Sequence, residues 1–271
     1  IARGMEHAEV AVRLEPENPV ALELRCNLRY WRYLLNLGWA PDDAEALVRA
    51  AESDLRSSVA ANPQQASAWT SLSHLLMNQD RVPEGKVAAL RSYEADTYLR
   101  NAHLTLWRLF GASFDLGDGD EARRWCEEGR RRFAERPRFR KCAVMVHAMP
   151  GTETDIDARW VSLDEWAELS PPSDREFNLH QGDMFAALAL VQAGLADSAR
   201  YVAERARLGP DVDPTRNIAF WEAVLRSFLG DMDEAIEQWN VHVAANPDGS
   251  AEDDDYWYLE ALRDDPRFAA P

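Results

Sequence analysis

Apolar residues in this chain recur at three- and four-residue steps, in runs that open on a small residue. The openings fall at Gly4, Ala51, Gly85, Ala122, Ala158, Ala199 and Ala235, at intervals of 47, 34, 37, 36, 41 and 36 residues. Five of the six lie close to the length of a helix-pair repeat, about 34 residues. Most runs close 11 to 15 residues later on a proline, at Pro16, Pro63, Pro137, Pro171, Pro210 and Pro247, with Thr97 standing in for one. Between residues 66 and 97, Trp69, Leu72 and Leu76 share one helical stripe, and Val87, Ala89, Leu90 and Tyr93 continue the apolar face after a turn at Asp80 to Pro83. Each unit is thus predicted to be helix, short turn, helix.

The turn residues agree with this phase. Leu-Gly117-Asp-Gly-Asp-Glu-Ala122 and Leu-Gly230-Asp-Met-Asp-Glu-Ala235 place Gly where a helix end needs a left-handed residue, then carboxylates in the first turn of the next helix. Gly194 to Ala199 is a looser copy. Two stretches depart from the pattern. The unit between Leu22 and Ala51 is lengthened around Leu37 to Pro41, and Met149-Pro150-Gly151 interrupts the unit that runs to Pro171, where a bend is expected. In the last full unit Glu222 and Arg226 occupy positions where the pattern expects apolar residues, which puts the register of that helix in question by one residue.

The sets Trp69, Leu72, Gly85 and Ala89, then Leu106, Leu109, Gly117, Asp118 and Ala122, then Gly230, Asp231, Glu234, Ala235 and Pro247 resemble the tetratricopeptide repeat. The resemblance covers nearly the whole chain, with a half repeat at the start. It implies an all-α, right-handed α-α superhelix of six to seven helix pairs with a C-terminal capping helix. As a single solenoid it divides into N-terminal repeats (1–147), a degenerate repeat (148–172), C-terminal repeats (173–250) and a cap with tail (251–271). The chain is also similar to the helical repeat regions that follow the catalytic domain of some bacterial Ser/Thr protein kinases, and to those of repeat-containing regulators, including its closing run from Trp257 to Phe268.

Composition narrows the setting. The 271 residues are 46% hydrophobic and 28% charged, which suits a folded chain. Lys86 and Lys141 are the only lysines, leaving 28 of the 30 basic residues as arginine, as expected of a GC-rich genome. A net charge of −17 disfavours nucleic acid and favours basic partners. Cys26, Cys126 and Cys142 form no CxxC, which points to a reducing, cytoplasmic compartment with buried free thiols. Cys126 and Cys142 do stand eight residues either side of position 134, so a helical hairpin would let them face each other. No apolar run reaches the length of a membrane span, and no membrane partner is expected. The chain opens on Ile1 inside a repeat, as a piece of a longer protein would.

Catalytic patterns are missing. Gly111-Ala-Ser113-Phe-Asp115 fails as a nucleophile elbow at its last position, and Asp115 to Asp120 lacks the ligand spacing of a calcium loop. Histidines 7, 74, 103, 147, 180 and 242 fall singly on separate helices, so no metal and no cofactor is expected, and the chain is read as a non-enzyme. Trp69, Trp125 and Trp239 fall at core positions. The basic run Arg123 to Lys141, nine basic residues against three acidic, is read as a solvated face with built-in Glu127–Arg131 and Glu128–Arg132 pairs.

What remains is binding. A stack of helix pairs lines one long surface with the first helix of each pair. By resemblance, the inner positions are Thr70, His74, Asn78, Trp107, Phe114, Gln181 and Met184, with Trp107 a candidate anchor. The expected partner is a protein or peptide, its own catalytic domain included. A groove holding a small ligand that regulates an attached kinase or transcription regulator is the alternative, favoured by a deep polar pocket over an open aromatic stripe.

Overall fold

The computed structural model describes residues 2–35, 37, 43–151, 156–247 and 256–268. Helices form the described residues throughout, with no strand among them. In chain order they are α1 (Ala2–Leu14), α2 (Pro19–Leu34), α3 (Ala44–Ala61), α4 (Ala66–Met77), α5 (Val82–Ala95), α6 (Ala102–Asp115), α7 (Gly119–Arg132), α8 (Arg138–Val146), α9 (Ile156–Leu169), α10 (Arg175–Gln192), α11 (Ala196–Ala206), α12 (Asn217–Leu229), α13 (Met232–Ala245) and α14 (Glu260–Arg263). Every second helix of a pair ends two to five residues before its proline marker or Thr97. The openings are crossing points: Ala51, Ala122, Ala199 and Ala235 are fully buried. The side chain of Ala158 lies outside the described residues, as do Gly38 to Pro41 of the lengthened unit.

The chain divides into two compact units, residues 1–112 and 113–271. In the first, α2 with α3 and α4 with α5 form hairpins around a core of Leu55, Leu72, Leu75 and Leu76. The α1 and α3 helices are tied to α2 by charge. Asp54, buried on α3, receives Nε and Nη2 of Arg25 at 2.9 and 2.6 Å and Nη1 of Arg29 at 2.7 Å, and both arginines also reach Glu9 of α1. Such forked pairs fix geometry as well as charge.

In the second unit, Gly117, Gly194 and Gly230 have φ of 75°, 75° and 77°, the left-handed ends that the turn pattern requires. Asp118 caps α7 by accepting from the backbone N–H of Glu121 at 3.1 Å. Gly129 lets α7 and α8 close: a Cβ there would stand 2.2 Å from the Phe139 ring. Met149-Pro150-Gly151 falls in the turn after the short α8.

Two expectations need correction. Cys126 and Cys142 are not free thiols but a disulfide between α7 and α8, with Cα atoms 5.7 Å apart. They lie equidistant from the hairpin turn, so antiparallel packing sets them opposite each other. The cysteine pattern therefore no longer argues for a reducing compartment. Glu222 and Arg226 are indeed core residues of α12, buried as an ion pair, so the register is right and the chemistry unusual. In the cap, Phe268 packs on Trp239 of α13, ring centroids 4.4 Å apart, and Trp257 stacks on Phe228 of α12 and donates its Nε1 proton to the Phe114 carbonyl at 2.7 Å. The cap is one 3₁₀ turn, Trp257–Leu259, and the four-residue α14. The acidic stretch from Glu252 to Asp255 lies outside the described residues.

Candidate functional site

Three first helices, α2, α4 and the start of α6, line one cleft of about 420 Å³ in the first unit. α2 is apolar on two sides. Ala21, Leu22, Cys26 and Tyr30 go into the core, while Val20, Leu24, Trp31 and Leu34 stand exposed along the opposite stripe, Trp31 at 53%. An aromatic of that size left half in water, beside a second apolar residue one turn on, is the feature that calls for an occupant.

Facing this wall, α4 contributes Ser71 and His74, the turn before α6 contributes Asn101, and α6 contributes Leu104 and Arg108. His74 lies edge-on to Tyr30, centroids 5.5 Å apart. Burial, with the nearby Arg108 cation, lowers its pKa to about 4, so it is a neutral imidazole at physiological pH. Asn78 donates to the Tyr30 hydroxyl and lies 3.3 Å from Nε2 of His74, fixing both rings. Arg108 donates Nη1–H to the Thr70 carbonyl at 3.0 Å. The free thiol of Cys26 at the floor has its pKa raised by burial, which makes it inert rather than nucleophilic. No Asp or Glu is among the described residues that line the cleft. Among the described residues there is also no cluster of three or more metal-ligating side chains, and no helix long and apolar enough to cross a membrane.

The seven residues expected on the inner face separate into three groups. His74 and Asn78 stand on the cleft side of α4. Thr70 borders the cleft, yet its hydroxyl turns inward to Ser92 at 2.6 Å, Thr105 at 3.2 Å and the Ala66 carbonyl at 3.0 Å, a buried knot joining α4, α5 and α6. Trp107 packs on Phe110 at 5.2 Å and is not among the lining residues, because the position that enters the cleft is its neighbour Arg108. Phe114, Gln181 and Met184, at 1%, 4% and 0% exposure, belong to the interior of the second unit and have no surface to offer a ligand. Phe114 contacts the rings of Phe185, Trp221, Trp257 and Tyr258 there, and Gln181 bonds Asn217. The α2 stripe, absent from the expected set, was visible as a second apolar phase offset from the core phase.

The basic run is mostly self-satisfied, as expected, although Arg131 chooses Glu128 at 2.5 Å rather than Glu127. Arg132 also reaches Glu128, and Arg140 pairs with Glu165 of α9.

No protein-family model and no curated protein matches this sequence. Solved structures do. A chain of the APC/C Cut9–Hcn1 hetero-tetramer is 15% identical over 89% of this chain and 42% of its own length, with a TM-score of 0.55. The human IFIT1 dimer with m7Gppp-AAAA is 12% identical, covering 90% of this chain and 55% of that one, with a TM-score of 0.47. The P58(IPK) TPR domain is 15% identical over 90% and 68%, with a TM-score of 0.29. This chain thus spans about half the length of the first two. Together with the helical hairpins above, the likeness to the Cut9–Hcn1 chain shows an all-α solenoid fold of the tetratricopeptide-repeat type.

Proposed function

We propose that this chain is a protein-interaction module that holds a peptide segment in the cleft of its first unit, with Trp31 as anchor. The exposed Trp31 and Leu34 beside a hydrogen-bonding wall that holds one cation, Arg108, carry this reading. An apolar side chain of the segment would cover the indole, while Asn27, Ser71 and Asn101 serve its backbone amides. An exposed apolar stripe with one indole favours a peptide over the small-ligand alternative, which calls for an enclosed polar pocket. A larger hollow of about 820 Å³ lies between α1 and the Arg32 end of α2, but its described lining holds no aromatic residue to anchor a segment.

The acidic chain as a whole attracts a segment with basic flanks, though nothing in the cleft itself selects for positive charge. On the sequence resemblance, the wider setting we propose is a bacterial signalling protein, whose own catalytic domain is one source of such a segment. The Cys126–Cys142 disulfide leaves the cytoplasmic part of that setting without support. The test is selection from a random peptide display library, with Trp31→Ala as counter-target. Enrichment of peptides carrying an apolar anchor that the variant fails to retain supports the proposal. Peptides retained equally by both proteins would refute it.

A further inference from the structure

Lys141 is one of two lysines in the chain. It sits half-buried on α8, next to the disulfide-bonded Cys142, with its Nζ 5.5 Å from the centre of the Trp166 ring of α9. Among the described residues no carboxylate pairs with it. Glu165, the α9 acid beside Trp166, is held by Arg140 at 2.9 Å. Arg138 adds a second cation one turn back, and Cys126 of α7 does not titrate because it is in the disulfide. The surrounding run, from Arg123 to Lys141, carries a net charge of +6.

We propose that Lys141 is an acylation site for small acyl phosphates. The neutral Nζ attacks the carbonyl carbon and an N–C bond forms. The C–O bond to phosphorus breaks, phosphate leaves with the electron pair, and one Nζ proton passes to solvent. Nothing is oxidised or reduced. Two features suit this donor. The arginine-rich face draws a dianionic reagent to a region of an otherwise acidic protein. The half-buried amine stands over the Trp166 ring, and among the described residues no acid is paired with it.

Burial lowers its pKa to about 8 and none of the charged groups named above contributes to the shift. Half of the Lys141 amine is thus free near pH 8, against roughly one in 250 for a lysine at the ordinary value. The product amide is neutral and removes one charge from the basic face.

Lys86, the other lysine, is the internal control in the same molecule. The folded protein is incubated with acetyl phosphate from pH 7 to 10, and acetylation of each lysine is followed by peptide mass spectrometry. The expected result is at least a tenfold excess of initial rate at Lys141 over Lys86 at pH 7.5, with the Lys141 rate levelling off above pH 8. Lys141→Arg should abolish that signal and leave the Lys86 rate unchanged. Equal or faster labelling of Lys86, or a Lys141 rate still rising tenfold per pH unit at pH 10, would overturn the proposal. So would labelling of Lys141 only after unfolding in urea.

Discussion

Glu222 and Arg226, one turn apart on α12, face each other inside the second unit with Oε1 and Nη2 3.2 Å apart and side-chain exposures of 0% and 6%. Glu222 also accepts both arms of Arg207, at 2.7 and 2.6 Å, and Arg226 reaches Asp231, which Arg200 clamps from α11. Two core positions of a repeat are therefore filled by charge. The network joins α11, α12 and the start of α13. Removing one partner strands the other, so Glu222→Ala should cost about 3–5 kcal/mol. Replacing both by leucine should recover most of that loss, since Arg207 is half-exposed and can return to water. Urea unfolding of the two variants checks this, and a Glu222→Ala protein as stable as wild type would contradict it.

The Cys126–Cys142 bond closes a loop of 16 residues between α7 and α8. Cross-links over about 15 residues are worth roughly 3 kcal/mol in the chain-entropy account. Dithiothreitol, or the double serine variant, should lower the melting temperature of the second unit by a comparable margin. An identical transition with and without reductant would show that the bond does not form or does not constrain the chain.

How far the sequence could be read follows from which features are local. The Ala, Gly and Pro phases were legible because a helix crossing needs a small residue and a helix end needs a left-handed or proline position, wherever the helix later packs. The face that meets a ligand is different. One residue turns a helix by about 100°, so reading Trp107 for Arg108 moves the anchor out of the cleft. Phe114 and Met184 have the spacing of an inner face and also of a core, and only the neighbours decide. On α2 both phases are apolar. The exposed one, Val20, Leu24, Trp31 and Leu34, could be told from the buried one only once α3 had covered Cys26 and Tyr30.

His74 gives the cleft a specific pH dependence. Its pKa is lowered to about 4 in the fold, against about 6.5 when unfolded. Between these values the unfolded chain binds the proton and the folded one does not. Its contribution to stability is therefore complete above pH 6.5 and is lost as pH falls toward 4. The imidazole resonances of His74 should titrate near pH 4, and His74→Gln should flatten that part of the stability profile. A midpoint near 6.5 would mean the ring is solvated and the cleft more open than described.

The described contacts of the cap lie in the second unit. Trp257 donates to the Phe114 carbonyl and stacks on Phe228 at 5.8 Å, and Phe268 lies against Trp239. Truncating a buried aromatic typically costs about 3–5 kcal/mol, so Phe268→Ala should lower the melting temperature while leaving peptide affinity unchanged. Loss of affinity in a protein that is still folded would place the cap in the binding surface.

The central claim is that Trp31 receives the segment. A peptide enriched on the wild-type protein is titrated calorimetrically into wild type and into Trp31→Ala, whose helical spectrum and melting temperature should be unaltered because the side chain is exposed. The account predicts a loss of affinity of at least tenfold in the variant, since anchor residues at a contact centre typically contribute about 2 kcal/mol or more. Equal affinity for the two folded proteins would contradict it.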